Sequence, residues 1–259
     1  MPDAQAPAQP LPPANETHEA GSREDGLLFA RAAVGQTAKA YGALEELIVT
    51  GGLPPGSQWS EIALADTIGL GRTPTREALQ KLAYQRLVRI APRQGVFISE
   101  IDYQGQLKII QARREIERLV MTQAAQWASD AERAALRRLA QELEELKAHS
   151  DMRVYMRLHF AITSALGEAS RNSYAAEFYA MLQTLARRFL YFHQKRHTNL
   201  VEICDLHIHQ LIAVADGDAA AAAESATLRN DYAENLARDI LMELIVTSAV
   251  TVSPAGRAA

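Results

Sequence analysis

The sequence predicts a mainly α-helical protein in which a small α+β head precedes an all-helical bundle. Three observations predict it. Strand-like, β-branched patterning occurs once, between Leu87 and Ser99, where VRI and VFIS flank the turn APRQG. Beyond Asp102 the apolar residues recur only at helical spacing. A hydrophobic content of 48% over 259 residues is enough for two modest cores.

The elements follow in order. Residues 1–25 hold five prolines and few apolar residues of any size, and they read as a disordered tail, as do residues 248–259. The expected head covers residues 26–100 and the expected bundle 101–247. A helix from about Leu27 to Thr50 is stopped by Gly51-Gly52 and Pro54-Pro55-Gly56. Ser60 to Ile68 forms a short helix, and Gly69 to Gly71 a tight turn. The next helix opens at Thr73-Pro74, with Thr73 as its cap and Pro74 as its first residue. Helix, helix, turn, helix and hairpin, in that order, make a winged helix-turn-helix. Amphipathic helices are then expected over roughly 104–128, 131–148, 151–166, 172–196, 199–215 and 219–246, with Asp130, Ser150, Gly167, Asn172 and Gly217 at the breaks.

Charge and cysteine content narrow the function. The net charge of −4 excludes a chain that coats nucleic acid along its whole surface, while allowing one basic reading head. That head is visible: residues 70–99 carry Arg72, Arg76, Lys81, Arg86, Arg89 and Arg93 against Glu77 alone. A single cysteine, Cys204, excludes an intrachain disulfide framework and any multi-cysteine zinc site, which fits a reducing, cytoplasmic compartment. No apolar run is long enough to span a membrane, and the N-terminus lacks the basic start and apolar stretch of a secretory signal.

Laid on a helix, residues 74–86 put Ala78, Leu79, Leu82 and Ala83 on one stripe, with Thr75 leaning the same way. Thr73, Arg76 and Gln80 take the opposite face. An arginine near the start of such a polar face can donate two hydrogen bonds to guanine, and helix N-terminal amides hold phosphate. The same pattern also describes an ordinary solvated helix face. The residues decide between the two: GGLPPGSQWSEIALADTIGLGRTPTREALQKL with RLVRIAPRQGVFI resembles the DNA-binding domain of the GntR family of regulators. The resemblance implies base and phosphate contacts from Arg72, Thr73 and Arg76, with Gln80 and Arg93 on the same reading surface. It also implies a wing tip brought close to the minor groove by Gly95. Two departures stand out. Gly71 replaces the usual Ser or Thr, and Arg86 replaces a helix-ending Gly, which points to a left-handed arginine.

The region after Asp102 resembles the FCD ligand-binding domain of the FadR-type branch of that family. The resemblance rests on ARREIERLVMTQAA with Arg113 and Glu117, LHFAI around His159, EASRN around Asn172, and LHIHQLIAVADGDAAAAAE. It implies an effector pocket built from Arg113, Tyr155, His159, Asn172, His207 and Arg229. Many members hold a divalent metal, zinc or nickel, through one Asp and three His. His159 and His207 match two of those positions, Tyr155 stands at the Asp position and Arg229 near the third His. His193 and Asp231 are candidate replacements.

Periodicity independently turns Tyr155 and His159, His207, and Arg229 inward on three stripes, while His209 shares a solvated face with Glu202, Asp205 and Asp216. A buried Arg229 must meet an anion, either an internal Glu or the effector's own carboxylate or phosphate. The resulting expectation is a homodimeric repressor that binds double-stranded DNA at a palindromic operator and senses a small organic acid. An enzyme is the weaker reading, because no nucleophile–base pair, second carboxylate cluster or H-E-x-x-H helix is present. A purely architectural DNA binder would not need inward polar residues on three helices.

Overall fold

The computed structural model describes residues 35–251, except for the side chains of 195–197 and 247–251. Among these residues it has nine helices and one three-stranded sheet. The expected tail over 1–25 and the first part of the expected opening helix lie outside the described residues.

The head begins with α1, Gln36–Val49, which buries Ala40, Leu44 and Ile48 at helical spacing and ends before the left-handed Gly51. A two-residue strand, β1 (Gln58–Trp59), leads into α2 (Glu61–Ile68). The Ser60 hydroxyl caps α2 by accepting the Ala63 amide at 3.0 Å, and Gly69 at φ 66° terminates it. Helix α3 spans Arg72–Tyr84. Its cap is Gly71 rather than Thr73, which places Pro74 third in the helix. The missing proline N–H costs nothing there, since first-turn amides have no intrahelical acceptor. Thr75 is buried and donates its hydroxyl to the Gly71 carbonyl at 2.8 Å.

Strands β2 (Val88–Ala91) and β3 (Gly95–Ile98) form the wing, and β1 joins the other edge of β3, giving the antiparallel order β1-β3-β2. Val96 and Ile98 turn inward onto Leu64, Leu79 and Leu82.

The bundle comprises α4 (Gln106–Trp127), α5 (Asp130–Leu146), α6 (Met152–Ala169), α7 (Ser173–His197), α8 (Leu200–Asp216) and α9 (Ala219–Thr251). Side-chain caps fix four of the starts: Ser129 in a reciprocal capping box with Glu132, then Asp151, Asn172 and Asn199. Helix α9 continues through Thr251, into the segment the sequence pattern assigns to a tail. Val120, Met121, Leu143, Ile162, Leu166, Leu211 and Val214 centre the main core. Cys204 lies inside it, fully buried, and burial together with Asp205 pushes its thiol up to about 11. Among the described residues, no helix is long and apolar enough to cross a membrane.

Candidate DNA-binding face and effector pocket

On α3 the burial pattern separates two faces. Thr75, Ala78, Leu79 and Leu82 are buried, while Arg72, Thr73, Arg76, Gln80 and Lys81 are exposed. Arg76 is the most committed of the exposed basic residues only in a weak sense: its Nε lies 3.7 Å from Glu61 with two-thirds of the side chain in solvent. Such a pair contributes little, so the guanidinium is available to an incoming phosphate or base. At the wing tip Arg93 is exposed at φ 63°. Arg89 instead lies over the Phe97 ring at 4.2 Å. Arg86 takes the left-handed conformation at φ 63°, as its replacement of a glycine implies.

Gly95 is required inside the sheet. At φ 102° a Cβ would stand 2.5 Å from the Trp59 carbonyl oxygen, so Gly95 is required for β1 to pair with β3. Its demand for a bare Cα is internal to the sheet.

In the bundle, a cavity of about 50 Å³ is bounded at one end by Arg113, Tyr155, His159 and Arg229, and at the other by Phe189, Leu190, Tyr232 and Leu236. Behind the polar end stands Glu117, fully buried on α4. Its Oε1 accepts from Arg229 at 2.7 Å and Gln210 at 2.9 Å, and its Oε2 from Asn230 at 3.0 Å and Gln183 at 3.1 Å. Burial raises the carboxyl, but Arg229 and Arg113 outweigh it and hold Glu117 below the usual carboxylate range.

This network fixes neighbouring protons. Gln183 Nε2 faces a carboxylate, so its amide oxygen must face His159, whose Nε2 donates to it at 3.2 Å. His159 Nδ1 therefore keeps its lone pair, buried and without a partner. His207 Nδ1 meets the Tyr155 hydroxyl at 3.1 Å, its ring centroid lies 4.7 Å from that of His159, and its Nε2 is also unpartnered. Burial lowers both histidines well below their ordinary value, with a further push from His207 and Arg229 on His159 and from Arg229 on His207. Both are neutral at physiological pH. Burial also raises the Tyr155 phenol, which stays protonated.

Arg113 gives its Nε to Asn230 at 2.8 Å and lies 3.6 Å from Glu117, yet its buried Nη2 has no partner.

The structure thus brings Arg113, Tyr155, His159, His207 and Arg229 together and corrects several expectations. Of the two anions expected to meet Arg229, an internal Glu or the effector's own, the structure shows the internal one, Glu117. Asn172 lies away from the cavity: its Oδ1 accepts the Ala175 amide at 3.0 Å and starts α7. Asp231 faces outward to Arg114 at 2.6 Å, and His193 Nδ1 meets the Phe189 carbonyl at 2.7 Å. His209 is exposed. Gln183, Gln210 and Asn230 were not singled out by motif. For Gln210 the signal available was its place on an inward stripe three positions after His207, whereas Asn230, next to Arg229 in sequence, stands off that residue's stripe.

The donor set does not fit a resident divalent ion. It offers two imidazole lone pairs, a protonated phenol and two guanidiniums, and the nearby carboxylate of Glu117 already accepts four hydrogen bonds. Among the described residues no three His, Cys, Asp or Glu side chains converge as a metal site.

Residues 36–98 match the family model "Bacterial regulatory proteins, gntR family", and residues 108–229 match the FCD domain. An HTH-type transcriptional regulator from the TAR-I ttuE-ttuC' intergenic region of Agrobacterium vitis is 40% identical over 68 residues, covering 26% of this chain and 40% of that protein. The HTH-type transcriptional repressor GlaR of Escherichia coli is 28% identical over 194 residues, covering 71% of this chain and 87% of that one. Against four of the curated relatives the match spans only 26–49% of the relative's own length. Among solved structures, E. coli McbR/YncC superposes with a TM-score of 0.68 at 20% identity, covering 81% of this chain and 100% of that one, which establishes the shared fold. With both domains matched in this order, the chain belongs to the GntR family of bacterial regulatory proteins and carries an FCD domain.

Proposed function

We propose that this protein is a homodimeric transcriptional repressor whose grip on a palindromic operator is modulated by a small anionic metabolite held in the bundle cavity. The observation that carries the effector reading is Arg113 Nη2, a charged donor that is buried at the cavity without a partner. A buried guanidinium with a free donor selects an oxyanion, and a carboxylate supplies it. The lone pair on His159 Nδ1 asks for a donor in return, so an acid that also carries a hydroxyl satisfies both walls. Arg229, paired internally, holds Glu117 in place and adds positive potential behind the site.

Modulation is supported by α7. Ala186 and Phe189 line the cavity, while Thr184 and Arg187 on the same helix bond Glu45 of the head and Arg188 donates to the Ser99 carbonyl. A ligand that moves α7 moves the contacts that seat the head. Dimerisation is supported by the small surface of a single head, which cannot select one genomic site alone. The repressor sense is supported by the likeness to GlaR.

The test is operator binding titrated with a panel of small carboxylates and hydroxy acids, for wild type and Arg113→Gln. One acid releases the wild type from DNA, and Arg113→Gln binds DNA normally but is released only at much higher concentration. Indifference of the wild type to every acid overturns the reading.

A further inference from the structure

Four arginines are buried among the described residues. Arg113 and Arg229 share Glu117, and Arg187 pairs with Glu45. Arg188 has no carboxylate within ion-pair distance. It is 3% exposed, it spends one Nη2 hydrogen on the Ser99 carbonyl, and its Nε is buried without a partner. Burial lowers its guanidinium to about 10, an effect that the more distant Glu100 carboxylate and the Tyr103 phenol only partly offset.

Arg188 opens onto a cleft of about 530 Å³ between head and bundle, lined by Arg86 of the head, by Glu100, Asp102 and Gln104 of the connection, and by Lys108 on α4. Two carboxylates, Asp102 and Glu100, also line this cleft. Asp102 Oδ1 accepts the Gly105 amide at 2.7 Å and holds the turn into α4. The Glu100 carboxylate lies beside Gly56, beyond ion-pair distance of Arg188 but near enough to raise its guanidinium.

We infer that this cleft is a second anion site, one that takes a small soluble oxyanion, a carboxylate or a phosphate group, on Arg188 with Lys108 and Arg86 at the rim. A desolvated guanidinium keeps its charge at any physiological pH, so it gains most from an anion that also fills its free donor. The cleft adjoins the bundle cavity through Gln106 and Phe189 but has its own cation, and the inference does not rest on the reading of that cavity. Because one wall belongs to the head and the others to the connection and bundle, an anion bound here fastens the two bodies in the arrangement described.

The experiment is calorimetric titration of the full-length protein with inorganic phosphate and, separately, with acetate, against sodium chloride at matched ionic strength. A saturable binding event for phosphate or acetate is expected in both the wild type and Arg113→Gln, and that event is lost in Arg188→Gln. Lys108→Gln alters an exposed side chain, leaves the fold intact and weakens binding roughly fivefold, as loss of one rim charge does. The inference is overturned if neither anion binds above the chloride control. It is equally overturned if Lys108→Gln and Arg188→Gln bind as tightly as wild type, or if Arg113→Gln alone abolishes binding.

Discussion

Arg187 on α7 and Glu45 on α1 form a fully buried ion pair that joins the bundle to the head, with the Thr184 hydroxyl donating to the same carboxylate oxygen at 2.8 Å. The Arg187 guanidinium also reaches the Phe160 ring, 5.4 Å from its centroid. The joint sits one helical turn from Gln183 and the pocket network.

Breaking this pair on one side leaves a buried charge uncompensated. Glu45→Ala is expected to destabilise the protein by about 3–5 kcal/mol, read as a fall in the midpoint of chemical denaturation. The double variant Glu45→Leu/Arg187→Met removes both charges and should recover most of that loss. Equal destabilisation of the single and double variants would show that the ion pair is not the source.

For the reading head, Arg76→Ala should leave the thermal midpoint nearly unchanged, since its contact with Glu61 is exposed. Specific DNA affinity should fall by about 1–3 kcal/mol per half-site, the worth of a bidentate guanine contact. Anisotropy titrations on one operator, compared with a scrambled duplex, measure both quantities.

Stability should also depend on pH through His159 and His207. Both are lowered well below 6.5 in the folded state, so the unfolded chain binds protons that the native state refuses. Their contribution is fully present above about pH 6.5 and declines as the pH falls from there toward the folded values, by up to about 1.4 kcal/mol per pH unit for each. Denaturation at pH 7 and pH 5.5 tests this, and His159→Gln should flatten the difference.

Metal removal is expected to do nothing. Dialysis against a chelator should leave both the thermal midpoint and operator affinity unchanged, because the cavity's donors are two imidazoles beside cations. About one tightly held metal per chain by elemental analysis would contradict this donor-set argument.

Most helices were legible because they carry an apolar stripe, and α2 and α5 to α8 also open on a polar cap. The inward placement of Tyr155, His159 and His207 was equally legible, since a single polar residue on such a stripe has to face the interior. Strand β1 was not, because two residues are too few to show alternation, and Gln58–Trp59 is extended only by the neighbouring edge of β3. The start of α3 lies two residues before the one Thr73-Pro74 signals, because proline is tolerated anywhere in the first turn and the helix begins at Arg72. Arg229 shows the deeper limit. Periodicity on α9 turns it inward, but its counter-ion Glu117 stands 112 positions away on α4, and nothing in the spacing of α9 chooses between that carboxylate and a ligand's.

The buried state of Cys204 has a practical side. The chain's sole native thiol is inside the core and resists deprotonation, so alkylating probes at neutral pH find a silent background. Gln94→Cys on the exposed wing tip and Trp127→Cys on the exposed end of α4 therefore give two addressable positions on otherwise native protein. A donor–acceptor dye pair there turns the spacing between wing and bundle into an optical signal that can be followed while an acid or an operator is added.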